Sequence, residues 1–127
     1  MSPFRVRRED LPDDALVVVR GGTLDRDTLI ADAMRAFRRF GEYAVSVLAA
    51  PTDEDLDLLA RTTLLRYERL TVMTAGAIRR AGLELRPTFR RPHYSVMLPD
   101  PSADVERLAG CENESRPNPH FARREAD

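Results

Sequence analysis

The sequence predicts a single α/β or α+β domain of two layers, with about four strands and three to four helices. Strand-like and helix-like segments alternate four times along the chain, which is typical of a sheet packed against helices. A run of apolar residues from Ala15 to Val19, four of them consecutive Leu and Val, predicts the first buried strand. With 127 residues, the chain is long enough for one hydrophobic core and too short for two.

The clearest helix follows this strand. Apolar residues recur at helical spacing from Leu29 to Phe40, while most of the intervening arginines fall away from that stripe. Asp25 near the start and Gly41 at the end are typical helix boundaries. We therefore expect a helix that packs on the core and exposes its arginines, followed by a second strand from Tyr43 to Ala49.

The middle of the chain repeats this pattern. Thr52 and Asp55 have the spacing of a capping box and predict the start of a second helix. A third strand is predicted from Leu70 to Met73, followed by a short alanine-rich helix from Ala75 to Ala81 that ends at glycine. Residues 83–86 are expected to form only a brief extended segment.

The fourth strand is predicted from His93 to Leu98, and alternation places His93 and Tyr94 on opposite faces of the sheet. Ser102 is expected to cap a last short helix that stops at Gly110. Beyond it the chain is polar and contains proline. We therefore predict one globular domain over residues 1–110 and an irregular C-terminal tail over 111–127, packed on or near the domain.

Composition narrows the functional classes. A formal net charge of −1 argues against general affinity for nucleic acid, although a local basic patch can still bind phosphate. All twenty cationic residues are arginine, a bias that codon usage in a GC-rich genome explains, and the lack of lysine excludes Schiff-base chemistry. Cys111 is the only cysteine, so neither an internal disulfide nor a multi-cysteine zinc site can form.

The expected location follows from what the sequence lacks. No apolar stretch follows the N-terminus as in a signal peptide, and no apolar run approaches the length of a membrane span. We therefore expect a cytoplasmic protein without membrane contact. On the principal interpretation, we also expect neither a metal nor a cofactor.

The two histidines are the strongest candidates for reactive groups. They occur in similar tripeptides, Pro-His-Tyr and Pro-His-Phe, next to the arginine pairs 90–91 and 123–124. Histidine titrates near neutral pH, and arginine binds phosphate through a planar pair of donors. Cleavage of a phosphodiester needs proton transfer and a cation that holds the phosphate. We therefore predict His93 and His120 as catalytic residues. The predicted substrate-binding residues are Arg20, Arg90, Arg91 and Tyr94.

A non-catalytic role is an open alternative. The segment from Arg79 to Tyr94 is the densest cationic region, and Phe89 and Tyr94 place aromatic rings among its arginines. Such a surface can bind single-stranded RNA by stacking and phosphate contacts. It is equally typical of a protein interface, either with a cognate partner or with a second copy of the chain.

Three further residues suggest another activity. Arg20 ends the first strand, Ser46 lies inside the second, and Glu112-Asn113-Glu114 places two glutamates near the C-terminus. This order resembles the arginine-serine-glutamate ADP-ribosyltransferases. The resemblance implies that Arg20 and Ser46 hold NAD and that Glu114 supports transfer of ADP-ribose.

Size and charge mix also resemble those of small bacterial toxin–antitoxin components. The principal prediction is therefore a toxin-like protein that acts on RNA or another phosphate-bearing substrate through histidine and arginine side chains. An NAD-dependent transferase and a protein-interaction module remain as alternatives.

Overall fold

A computed structural model describes residues 11–21 and 24–121 of the protein, and for positions 20 and 21 it describes the backbone alone. The described chain forms one antiparallel sheet and four helices. The strands are β1 (Leu16–Gly21), β2 (Ala44–Ala50), β3 (Arg69–Thr74), β4 (Glu84–Pro87), β5 (His93–Met97) and β6 (Glu114–Pro117). The helices are α1 (Arg26–Phe40), α2 (Asp53–Arg61), α3 (Ala75–Arg80) and α4 (Pro101–Ala109).

The sheet has the order β4-β5-β2-β1-β3-β6, and every neighbouring pair is antiparallel. The prediction of a single domain with mixed helices and strands is confirmed, and the antiparallel pairing selects α+β over α/β. Six strands replace the predicted four. The helix count is as predicted.

The helices cover both faces of the sheet. Face A carries Val17 and Val47, which pack in one cluster with residues of α1, α3 and α4. Face B carries Leu48, which packs in a second cluster with residues of α2, and Ala44, which packs with Phe40 at the end of α1. The predicted two layers are therefore three, because strands that are apolar on both sides must be covered on both.

Helix boundaries agree well with the sequence. Asp25 caps α1 by accepting a hydrogen bond from the backbone N–H of Thr28, and Gly41 ends the helix at φ 81°. Thr52 and Asp55 form the predicted capping box of α2. Ser102 does not cap α4. That helix begins at Pro101, which suits the first helical position because it lacks an N–H group.

Two edge strands differ from expectation. The segment 84–87 is a true strand, β4, and the predicted irregular tail contains β6, which pairs with β3 in register Thr71↔Ser115. Asn118 then anchors the tail to the domain, because its Nδ2 donates hydrogen bonds to the carbonyl oxygens of Ala60 and Leu64. Charged residues and a proline obscure β6 in the sequence, and both are features of protected edge strands.

Within the described residues, none of the helices has the length and apolar character needed to cross a membrane.

Candidate nucleotide-binding site

The β4–β5 hairpin positions His93 through a buried hydroxyl. His93 Nδ1 lies 2.7 Å from Thr88 Oγ1, and that oxygen lies 2.9 Å from Ser95 Oγ. Thr88 and Ser95 are fully buried, whereas the His93 ring is partly exposed. Because rigid neighbours hold one ring nitrogen, the imidazole has a fixed orientation on face B.

Aromatic rings connect His93 to the end of α1. The Phe89 ring meets the His93 ring edge-on at 4.9 Å, and the Phe40 ring lies 5.5 Å from Phe89. Phe89 has φ 55°, a left-handed conformation that costs a residue with a Cβ roughly 1–2 kcal/mol. This backbone conformation places the Phe89 ring among its two aromatic neighbours, although 38% of the residue remains exposed.

A pocket of about 430 Å³, which we call the α1 pocket, lies beside these rings. Its wall on α1 contains Arg35 and Arg39, and Ser46 of β2 contributes a hydroxyl group from face B. Tyr67, which precedes β3, and Phe89, which precedes β5, also line it. β3 and β5 lie on opposite sides of β2, so Tyr67 and Phe89 line the pocket from opposite sides of that strand.

The two arginines of this pocket have different neighbours. The Arg39 guanidinium lies 5.5 Å from the centroid of the Phe40 ring. Arg35 pairs with Asp32 at 2.9 Å on the same helix, and both side chains keep more than a third of their surface exposed. Such an exposed pair is weak in water, so Arg35 can turn toward a stronger anion at little cost.

The sequence did not identify Arg35, Arg39 and Tyr67 as site residues. The two arginines were interpreted as part of a solvated helix face. A spacing of four residues does place Arg35 and Arg39 on one side of α1, which was the available signal. What the sequence could not indicate is that Ser46 and the hairpin face this side of the helix.

The predicted residues of the hairpin are only partly brought together. Arg90 and Arg91 are exposed at its tip, and the Arg90 carbonyl accepts a hydrogen bond from the backbone N–H of His93. Tyr94 is 2% exposed, packs in the face A core and does not line the pocket. The backbone of Arg20 belongs to β1, but its side chain lies outside the described residues.

His120 occupies a different part of face B. Its Nε2 lies 2.7 Å from Asp57 Oδ1 of α2, and Arg61 Nε lies 3.4 Å from the other carboxylate oxygen. The hydrogen bond from His120 is the main reason that the pKa of the Asp57 carboxyl lies below its usual value.

The two histidines do not share a site. His93 begins β5 and His120 follows β6, which puts these strands four spacings apart, on the order of 19 Å. The structure therefore does not support joint proton transfer by both histidines at one phosphate. The arginine pair 123–124, predicted to accompany His120, lies outside the described residues.

The residues that suggested NAD binding are also separated. Ser46 belongs to β2 and Glu114 to β6, three strand spacings away, or about 14 Å. Glu114 pairs with Arg116 at 3.0 Å and lines another pocket at that edge. Among the described residues, Ser46 and Glu114 thus line two different pockets, and the transferase alternative gains no support from this placement.

A larger cleft of about 740 Å³ lies at the end of the sheet where β2 and β4 begin. Phe37, 42% exposed, stacks on Tyr43 there with ring centroids 4.4 Å apart. Arg86 also lines the cleft and pairs with both Glu84 and Glu42 at 2.9 and 3.1 Å. Glu84 is the main reason that the pKa of Arg86 is raised, so this guanidinium is committed to structural partners.

Comparison with protein-family models, curated proteins and solved structures finds no match for this chain. Among the described residues, no three His, Cys, Asp or Glu side chains are grouped closely enough to hold a metal ion.

Proposed function

We propose that this protein binds a nucleotide unit in the α1 pocket and acts on its phosphate through His93. The observation that carries the proposal is that one pocket combines Arg35 and Arg39 with Tyr67 and Phe89. Arginine recognises phosphate by charge and paired hydrogen bonds, and aromatic rings stack on bases. A nucleotide carries both of these groups, a phosphate and a base.

In this proposal, the arginines of α1 bind the phosphate. The position of Arg39 above the Phe40 ring limits the freedom that its side chain would lose on binding. Ser46 adds a hydroxyl that can donate to a phosphate oxygen or pair with a base edge. Ser46 is also the one residue of β2 that is not buried.

The base stacks on the rings of Tyr67 and Phe89 in this proposal. Phe89 offers an exposed ring, held by its contacts with Phe40 and His93. Because every base has a flat face, stacking of this kind tolerates different bases.

His93 supplies the proton-transfer group. Its ring contacts Phe89, a wall of the pocket, and its Nδ1 is held by Thr88. An imidazole held in this way can accept the proton of the 2′-hydroxyl of a bound ribonucleotide as that oxygen attacks the adjacent phosphorus, while water protonates the 5′-oxygen that leaves. The exposed Arg90 and Arg91 on the same hairpin would offset the charge of that phosphate.

Titration calorimetry with uridine monophosphate tests the binding step. Arg39→Ala is expected to weaken binding at least tenfold, the usual loss for a charge-assisted hydrogen bond. Arg38→Ala is the matched control. It removes the same charge from the preceding position of α1, which does not line the pocket. Equal effects of the two substitutions would contradict a site at this pocket.

A second candidate function is that of a protein-interaction module. The exposed Phe37 ring at the end-of-sheet cleft favours it, since large apolar side chains beside a cleft are common at protein interfaces. Sedimentation of the chain over a wide concentration range tests self-association through this surface. A dimer that Phe37→Ser dissociates would support it, and a monomer throughout would remove self-association.

A further inference from the structure

We propose that the ligand of the α1 pocket is one unit of a single-stranded nucleic acid whose neighbouring units continue past the pocket on both sides. This inference rests on the proposed nucleotide site and adds the class of its ligand. The feature that carries it is a row of aromatic rings and arginines that is longer than the pocket itself. This row, which we call the track, runs from Arg66 and Tyr67 to Phe89, Arg90 and Arg91.

One end of the track is at Tyr67. The Arg66 guanidinium lies 5.2 Å from the centroid of the Tyr67 ring and donates a hydrogen bond to its hydroxyl at 3.3 Å. Arg66 is exposed and does not line the pocket. It therefore places a positive charge just beyond the Tyr67 wall, where a phosphate next to a bound nucleotide would lie.

The other end is the tip of the β4–β5 hairpin. Arg90 and Arg91 directly follow Phe89, are exposed, and also do not line the pocket. Tyr67 and Phe89 reach the pocket from opposite sides of β2, so the cations next to them extend it in two directions. A free mononucleotide, with one phosphate group, has nothing to place at both ends.

The charge of the track contrasts with that of the whole chain. The protein carries a formal net charge of −1, so attraction to a polyanion must come from a local cluster. Around the pocket, Arg35 is paired with Asp32. The other arginines of the track are Arg39, Arg66, Arg90 and Arg91, and all four are exposed.

Binding of uridine monophosphate, pentauridylate and pentadeoxyuridylate to the full chain tests the inference. Pentauridylate is expected to bind at least tenfold more tightly than the monophosphate, because adjacent bases and phosphates add contacts. Three added phosphate contacts would give a salt slope steeper by about 2, at roughly 0.7 per phosphate of a single strand. The deoxy strand shows whether the 2′-hydroxyl contributes, and tight binding of either strand supports the inference.

Substitutions separate the track from the pocket. Arg66→Ala is expected to weaken pentauridylate binding about threefold to tenfold and to leave the monophosphate unchanged, because Arg66 does not line the pocket. Arg39→Ala should weaken both ligands, and Arg38→Ala neither. Oligonucleotides that bind no tighter than the monophosphate would overturn the inference while the proposed nucleotide site stands. Absence of binding by all three ligands would overturn both.

Discussion

Thr88 Oγ1 connects His93 to the interior of the sheet, lying 2.7 Å from His93 Nδ1 and 2.9 Å from Ser95 Oγ. A threonine just beyond a short edge strand thus orients the imidazole from below while the Phe89 ring contacts it from the side. The proposed nucleotide site depends on this arrangement, because a histidine that transfers protons must hold one orientation toward its substrate.

Replacing Thr88 tests the hydroxyl contact. Thr88→Val keeps the shape but removes the hydroxyl, which leaves polar atoms of His93 and Ser95 without that partner. The free energy of unfolding, measured in urea, is expected to fall by about 1–3 kcal/mol. Thr88→Ser keeps the hydroxyl and should cost less. A valine variant as stable as the serine variant would show that the contact contributes nothing.

The catalytic part of the proposal can be tested on the two histidines. His93→Ala is expected to lower the rate at which the protein cleaves an RNA oligonucleotide by roughly 10²–10⁴, the usual contribution of a general acid or base. His120→Ala should leave that rate within a factor of two, since His120 follows β6, at the far edge of the sheet from His93. Equal losses in both variants, or RNA that stays intact with the wild type, would contradict a catalytic role for His93 alone.

The Asp57–His120 pair has a specific pH signature. Because the pKa of Asp57 is lowered on folding, the ionised carboxylate stabilises the fold above about pH 4, and this contribution disappears as the pH falls through the lowered pKa. NMR titration should show His120→Asn moving the Asp57 pKa back toward 3.8. Arg61→Ala should move it less, because Arg61 acts more weakly on this carboxyl. The opposite order would contradict the assigned cause.

Cys111 is expected to be an unreactive thiol. It is 7% exposed, and burial raises its pKa, so little thiolate forms at pH 8. Its reaction with an aromatic disulfide reagent should be at least about tenfold slower in the folded protein than in 8 M urea. Similar rates in both conditions would mean that the thiol is accessible in the native state.

Local signals in the sequence were sufficient to predict the helices and four of the six strands. Asp25, Gly41 and the Thr52–Asp55 box act within one or two turns of chain, so their structural consequences follow from their immediate neighbours. β6 could not be predicted in this way. Its four residues become a strand only because β3 offers a free edge.

The site was less accessible to sequence reasoning. His93 was predicted from its chemistry and its arginine neighbours, and only its position at the start of a strand is confirmed. Its distance from His120 depends on strand order, which single-sequence patterns do not encode. The same holds for Arg35 and Arg39, since the partners of a helix face are set by packing between distant segments.

The most direct test of the proposed site is a map of amide chemical-shift changes in the ¹⁵N-labelled protein on addition of uridine monophosphate. The largest changes are expected at Ser46, Tyr67 and Phe89 and along α1 near Arg35 and Arg39, and Arg39→Ala should reduce them. Changes confined to the end-of-sheet cleft around Phe37 and Tyr43, or no saturable changes at millimolar ligand, would contradict a nucleotide site at the α1 pocket.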